Sequence, residues 1–137
     1  MALLRRLCLI FCINSALMAD TPEQELLGKV FHLMTRDYQS MRVYETDPAI
    51  SLKDSHLITV VNDCRDANIL YGASFESLPI VCQLLPRFTT EYRIYQEDKQ
   101  SIGAFYWRKG RPQLRFNKER CDAFTIVLPE ALVNYVQ

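Results

Sequence analysis

The chain has 137 residues, of which 49% are apolar and 23% charged, with sixteen basic and sixteen acidic side chains. That make-up excludes a disordered or fibrous chain and leaves room for a single domain of ordinary globular composition. Glycine is scarce at four residues, which argues against a repeat or loop-dominated fold, and no internal repeat or low-complexity tract is present.

The first nineteen residues differ in kind from the rest. Arg5 and Arg6 form a positive start, Leu7 to Met18 is an uncharged, mostly apolar run, and Ala19 follows. This is the pattern of a secretory signal peptide over residues 1–19, with a single α/β domain expected over 20–137. The apolar run is shorter than the about 20 residues that a helix needs to cross a bilayer. A short uncleaved anchor is the alternative reading. Removing Arg5 and Arg6 from sixteen basic residues leaves fourteen against sixteen acidic ones. Such a balance gives no reason to expect nucleic acid as a partner. Cys64, Cys82 and Cys121 remain after cleavage, and in an oxidising compartment two of them can pair.

Thr21-Pro22-Glu23-Gln24 carries a capping hydroxyl, a proline at the first helical position and a glutamine three residues after the cap. Leu27, Val30, Phe31, Met34, Tyr38 and Met41 recur at helical spacing, so a helix is expected over 22–41. Residues 42–55 read as a connection. Leu57 to Val61 is a β-branched apolar run that suits a strand buried on both faces. Ala67 to Tyr71 reads as a second strand, or as a turn of helix.

Ser77-Leu78-Pro79 can open a short helix whose apolar side is Ile80, Val81, Leu84 and Leu85; a buried strand is the competing reading. Arg87 to Tyr95 favours an extended strand. After Phe116, Asn117 can cap a short helix over 118–124, and Pro129 can start a last one carrying Leu132, Val133 and Val136. The element order implies an α/β sandwich, with helices packed on a mixed sheet.

The most patterned stretch is Ile102 to Phe116, which reads as a β-hairpin. With Lys109-Gly110-Arg111-Pro112 as a four-residue turn, Arg108 faces Gln113, Trp107 faces Leu114 and Phe105 faces Phe116. Alternation then puts Phe105, Trp107, Leu114 and Phe116 on a core face. Tyr106, Arg108, Gln113 and Arg115 fall on the other face. Six of the fourteen basic residues lie between Arg108 and Arg120, against one acid, Glu119. Tyr106, Arg108, Arg111 and Arg115 are therefore the candidate binding residues, for a protein interface or an anionic ligand. The competing reading is a solvated face whose arginines pair with Glu91, Glu97 and Asp98.

Other chemistry is poorly supplied. His32 and His56 each lack a second ligand at metal spacing within their own elements, so no metal or cofactor is expected. No histidine is placed by sequence to act as a base for Cys64, no glycine-rich phosphate loop occurs, and no serine elbow occurs. A non-enzymatic protein is expected. Cys64–Cys82 is the preferred disulfide, because Cys121 lies on the apolar side of its helix. Closing that loop is worth about 3 kcal/mol on the chain-entropy model.

At the hairpin the layout resembles that of YfiR-type proteins, periplasmic regulators of a membrane diguanylate cyclase. The matching features are Ile102-Gly103-Ala104-Phe105, Arg115-Phe116-Asn117 and the segment from Ile126 to Leu132, with Cys64 to Tyr71 and Arg87 to Thr90 similar in order. The resemblance spans residues 57–132, with few identities and a different cysteine arrangement. It implies an exported regulator of a membrane signalling partner. The string Gly103-Ala-Phe-Tyr-Trp-Arg-Lys-Gly-Arg-Pro112 is also similar to a group of bacterial periplasmic proteins with no known activity. Neither likeness carries over a functional residue. The expectation is a periplasmic or secreted binding protein that engages a membrane or periplasmic protein, or a small anionic ligand, without stable membrane insertion. A small solute-binding module of a transport system is the alternative.

Overall fold

The structure is a computed structural model that describes residues 21–35 and 40–137. The expected signal peptide lies outside the described residues. The fold is a six-stranded mixed sheet with helices packed on it. Strands β1 (Arg42–Thr46), β2 (Thr59–Val60), β3 (Ile69–Gly72), β4 (Arg87–Thr89), β5 (Ser101–Arg108) and β6 (Arg111–Phe116) lie in the order β2-β1-β3-β4-β5-β6. The first five are parallel and β6 runs antiparallel to β5.

Helix α1 (Pro22–Leu33) begins with the expected reciprocal cap. Thr21 Oγ1 accepts from the Gln24 amide at 3.3 Å, and Gln24 Oε1 accepts from the Thr21 amide at 2.9 Å. It ends eight residues before the expected terminus at 41. Thr35 Oγ1 donates to the Phe31 carbonyl at 3.2 Å, a local bond of the kind that competes with helix continuation. Residues 42–55 are likewise not a plain connection, because β1 occupies their first five positions and Val43 is fully buried. The run from Leu57 to Val61 supplies only β2, an edge strand with Thr59 exposed, instead of a strand covered on both faces.

The main core lies between the sheet and α1. Phe31 meets Tyr71 edge-on at 5.5 Å and Phe88 at 5.1 Å, and Phe88 meets Phe116 at 5.7 Å. Burying each such side chain stabilises the fold by about 1.5–3 kcal/mol. Gly103 sits beneath the last ring pair. A Cβ there would lie 2.7 Å from the Phe116 ring and 2.9 Å from that of Phe88.

The opposite face holds a smaller core of Leu70, Phe75 and the Cys64–Cys82 disulfide, joined by Leu78, Leu85 and Ile94. The expected pairing is therefore present, with a Cα–Cα distance of 6.0 Å. Cys121 is free and buried. The bridge explains why the expected helix near Pro79 is only a 3₁₀ turn, Ile80–Cys82. Cys82 is drawn inward, which turns its neighbours out: Ile80, Val81 and Leu84 are 83%, 62% and 76% exposed.

The stretch from Arg87 to Tyr95 is also not one strand. Thr89 Oγ1 accepts from the Glu91 amide at 3.0 Å, the chain turns, and helix α2 (Tyr92–Glu97) follows. Helix α3 (Lys118–Ala123) is capped by Asn117 as expected, with Oδ1 accepting from the Arg120 amide at 3.0 Å. The last expected helix is a 3₁₀ turn, Glu130–Tyr135, in which Leu132 is buried and Val133 exposed. Val136 then bridges to Phe116.

Candidate functional site: an arginine–tyrosine cleft

The hairpin forms, with a shorter turn than expected. Lys109 and Gly110 are its two turn residues, at φ 52° and 74°. Two positive φ values make the primed turn whose twist suits a two-residue hairpin. Arg108 pairs with Arg111, Trp107 with Pro112, Tyr106 with Gln113, Phe105 with Leu114 and Ala104 with Arg115. Pro112 is thus inside the ladder and not out of it. Pairs alternate between bonded and non-bonded, so Pro112, next to the closing pair, falls where no donor is required, on an edge strand.

The observed register differs from the expected one by two residues. An even offset leaves every side chain on its original face. Phe105, Leu114 and Phe116 are buried as expected. Trp107 is not: it is 56% exposed, because the strands run on past the layer that covers their base.

On the other face, α2 packs against β5. Tyr92 and Tyr106 lie 4.9 Å apart, with Gln96 Nε2 donating to the Tyr92 hydroxyl at 2.7 Å. Between α2, the hairpin and α3 lies a cleft of about 310 Å³. Arg108, Arg115 and Arg120 line it together with Tyr92, Tyr95 and Tyr106. Gln96, Gln113, Asn117 and Gln137 complete the lining, and no Asp or Glu side chain is part of it. Two of the three acids expected to neutralise this face are used elsewhere: Glu97 pairs with Arg93 at 3.3 Å and Asp98 with Arg87 at 2.8 Å, while Glu91 is exposed and does not line the cleft. Among the described residues Arg108, Arg111, Arg115 and Arg120 make no ion pair.

The three lining arginines are held differently. Arg120 is committed to the main chain: Nη1 donates to the Tyr95 carbonyl and to that of Ser101 at 3.1 Å, and Nη2 donates to Gln96 at 3.4 Å. It contributes charge but few donors. Arg115 donates through Nη2 to Gln113 Oε1 at 2.7 Å and through Nη1 to the Leu114 carbonyl at 3.0 Å, which fixes its direction. Arg108 rests over the Tyr92 ring, 4.6 Å from the centroid, and its hydrogen-bond donors have no partner among the described residues. Tyr95 is 6% exposed, and its hydroxyl has no hydrogen-bond partner among the described residues. Burial pushes that hydroxyl above its ordinary pKa, and the positive charges of Arg120 and Arg115 partly oppose the rise.

Of the four expected residues, three are brought together: Tyr106, Arg108 and Arg115. Arg111 lies at the hairpin tip outside the cleft lining. Tyr92, Tyr95 and Arg120 were not anticipated. Arg120 had one signal, its place in the basic run from Arg108. The two tyrosines had none, because their stretch reads as strand. A second cleft, of about 420 Å³, lies where β1 and β2 end. Of its two acids, Glu45 is spent on the Ser51 hydroxyl and the Leu52 amide, which leaves Asp47 and Lys53 as charges of opposite sign in the lining. Among the described residues, no group of three or more His, Cys, Asp or Glu could hold a metal ion. No helix among them is long and apolar enough to cross a membrane. No family model, curated protein or solved structure matches the chain.

Proposed function

We propose that this is an exported, non-enzymatic binding protein of the periplasm or extracellular space, and that it recognises an anionic group in the arginine–tyrosine cleft. One observation carries the reading. Three arginines converge on a concave site without a single carboxylate side chain among the lining residues. Positive charge with no ion-pair partner among the described residues attracts an anion, and guanidinium donors suit carboxylate or phosphate oxygens. The disulfide fits an oxidising compartment. A solute-binding role follows most directly from a concave site.

A second reading, a periplasmic regulator of a membrane signalling partner, is favoured by the hairpin tip. There Trp107 is largely exposed beside Lys109 and Arg111, and tryptophan with arginine is the usual make-up of an interface anchor. Thermal melting at constant ionic strength tests the first reading, with phosphate, citrate and glutarate each compared against chloride. A ligand that binds only the native state raises the melting temperature. The rise is expected in the native protein and absent from an Arg108→Gln, Arg115→Gln double variant. No rise with any of the three anions would sink the reading.

A further inference from the structure

The cations of the cleft sit at its two ends. On the cleft-facing side of the hairpin the cross-strand pairs run Ala104–Arg115, Tyr106–Gln113, Arg108–Arg111 from base to tip. Arg115 and Arg108 are therefore two pairs apart, four residues or about 14 Å along the strand direction at ~3.4 Å per residue. Arg120 adds its charge at the same end as Arg115, where α3 meets the start of β5. Between the ends lie Tyr106 and Gln113, uncharged, with Tyr92 against them. Arg115 is turned toward the middle by its bond to Gln113, and Arg108 is turned toward α2 by the Tyr92 ring.

Resting on the anion-binding reading above, we infer that the ligand is an elongated organic dianion with an anionic group at each end. Its inner end meets Arg115 in the field of Arg120, and its outer end meets Arg108. The uncharged middle spans Tyr106. A compact ion fills one end of this arrangement and leaves the other cation unmatched. The volume of about 310 Å³ accommodates a small molecule of this shape.

A chain-length series of α,ω-dicarboxylates, from malonate to suberate, tests this by calorimetric titration at pH 7 and fixed ionic strength, with hexanoate as the one-ended control. Affinity is expected to pass through an optimum inside the series. The best dicarboxylate is expected to bind about tenfold or more tightly than hexanoate, the gain of one further charge-assisted contact. Arg108→Gln is expected to abolish the length preference and bring that dicarboxylate down to the hexanoate level, with the melting temperature of the unliganded protein nearly unchanged. Equal binding of all lengths, or of hexanoate and the best dicarboxylate, would overturn the two-ended ligand while leaving anion binding in place. If no dicarboxylate binds while phosphate raises the melting temperature, the two-ended ligand is likewise overturned. If nothing in either experiment binds, the anion-binding reading falls with it.

Discussion

The Arg108 guanidinium lies 4.6 Å above the centroid of the Tyr92 ring and makes no ion pair among the described residues. Such a contact is worth about 0.5–1 kcal/mol at an exposed site. Arg108→Ala is therefore expected to lower stability by less than about 1 kcal/mol while weakening anion binding about tenfold or more. Denaturant melts and calorimetry on the same variant check the two halves. A variant that loses much stability and keeps its affinity would give Arg108 a packing role only.

Gly103 has rings on both sides. Gly103→Ala places a methyl group within 3 Å of Phe116 and Phe88, and overpacking of a well-filled core costs about 1–3 kcal/mol. Urea unfolding should show a lower midpoint with an unchanged slope. An unchanged midpoint would mean that the two rings shift freely.

The Cys64–Cys82 bridge closes a loop with a sequence separation of eighteen, so replacing both residues with serine should cost about 3 kcal/mol. The second core, which packs around the bridge, should loosen first. Faster hydrogen exchange across 64–85 than at the α1 face is the expected pattern. Uniform acceleration over the whole sheet would contradict it.

Cys121 supplies a pH signature. Burial pushes its thiol up to about 11 from 9.0. In the unfolded chain the thiol ionises near pH 9, whereas in the folded chain it stays protonated until about pH 11. The folded state holds the extra proton in that window, so stability is complete below pH 9 and falls as pH rises toward 11. Each tenfold change in an acid's ionisation constant corresponds to about 1.4 kcal/mol. Relative to Cys121→Ala, the native protein should lose stability more steeply between pH 9 and 10.5. A thiol reagent should find no reactive cysteine in native protein beginning at Asp20, and one after denaturation.

The hairpin was legible because alternation is indifferent to an offset of two. The wrong turn length still put Tyr106, Arg108 and Arg115 on the right face. How far a covering layer extends is not written in that alternation, which is why Trp107 was expected inside. The cap of α1 was legible from Thr21 and Gln24, whose partners are local. Its end was not, since Tyr38 and Met41 continue the apolar spacing beyond Leu33. Helix α2 was hidden for the opposite reason: Thr, Tyr and Ile favour strands, and a six-residue helix is decided by what it packs on. The cleft was half visible for the same reason. Its hairpin side follows from the local pattern, and its tyrosine wall from docking.

Pro112 also bears on what the chain does in company. Strand β6, bridged at its Phe116 end by Val136, is one margin of the sheet and β2, two residues long, is the other. A long, regular, uncharged margin invites a second chain to add its own strand, and repetition of that event gives fibres. Here one margin is too short to template anything. The other presents a residue without an amide hydrogen, flanked by Arg111 and nearby Arg115. The same basic hairpin that offers the cleft its positive charge thereby discourages the sheet from growing beyond its own six strands.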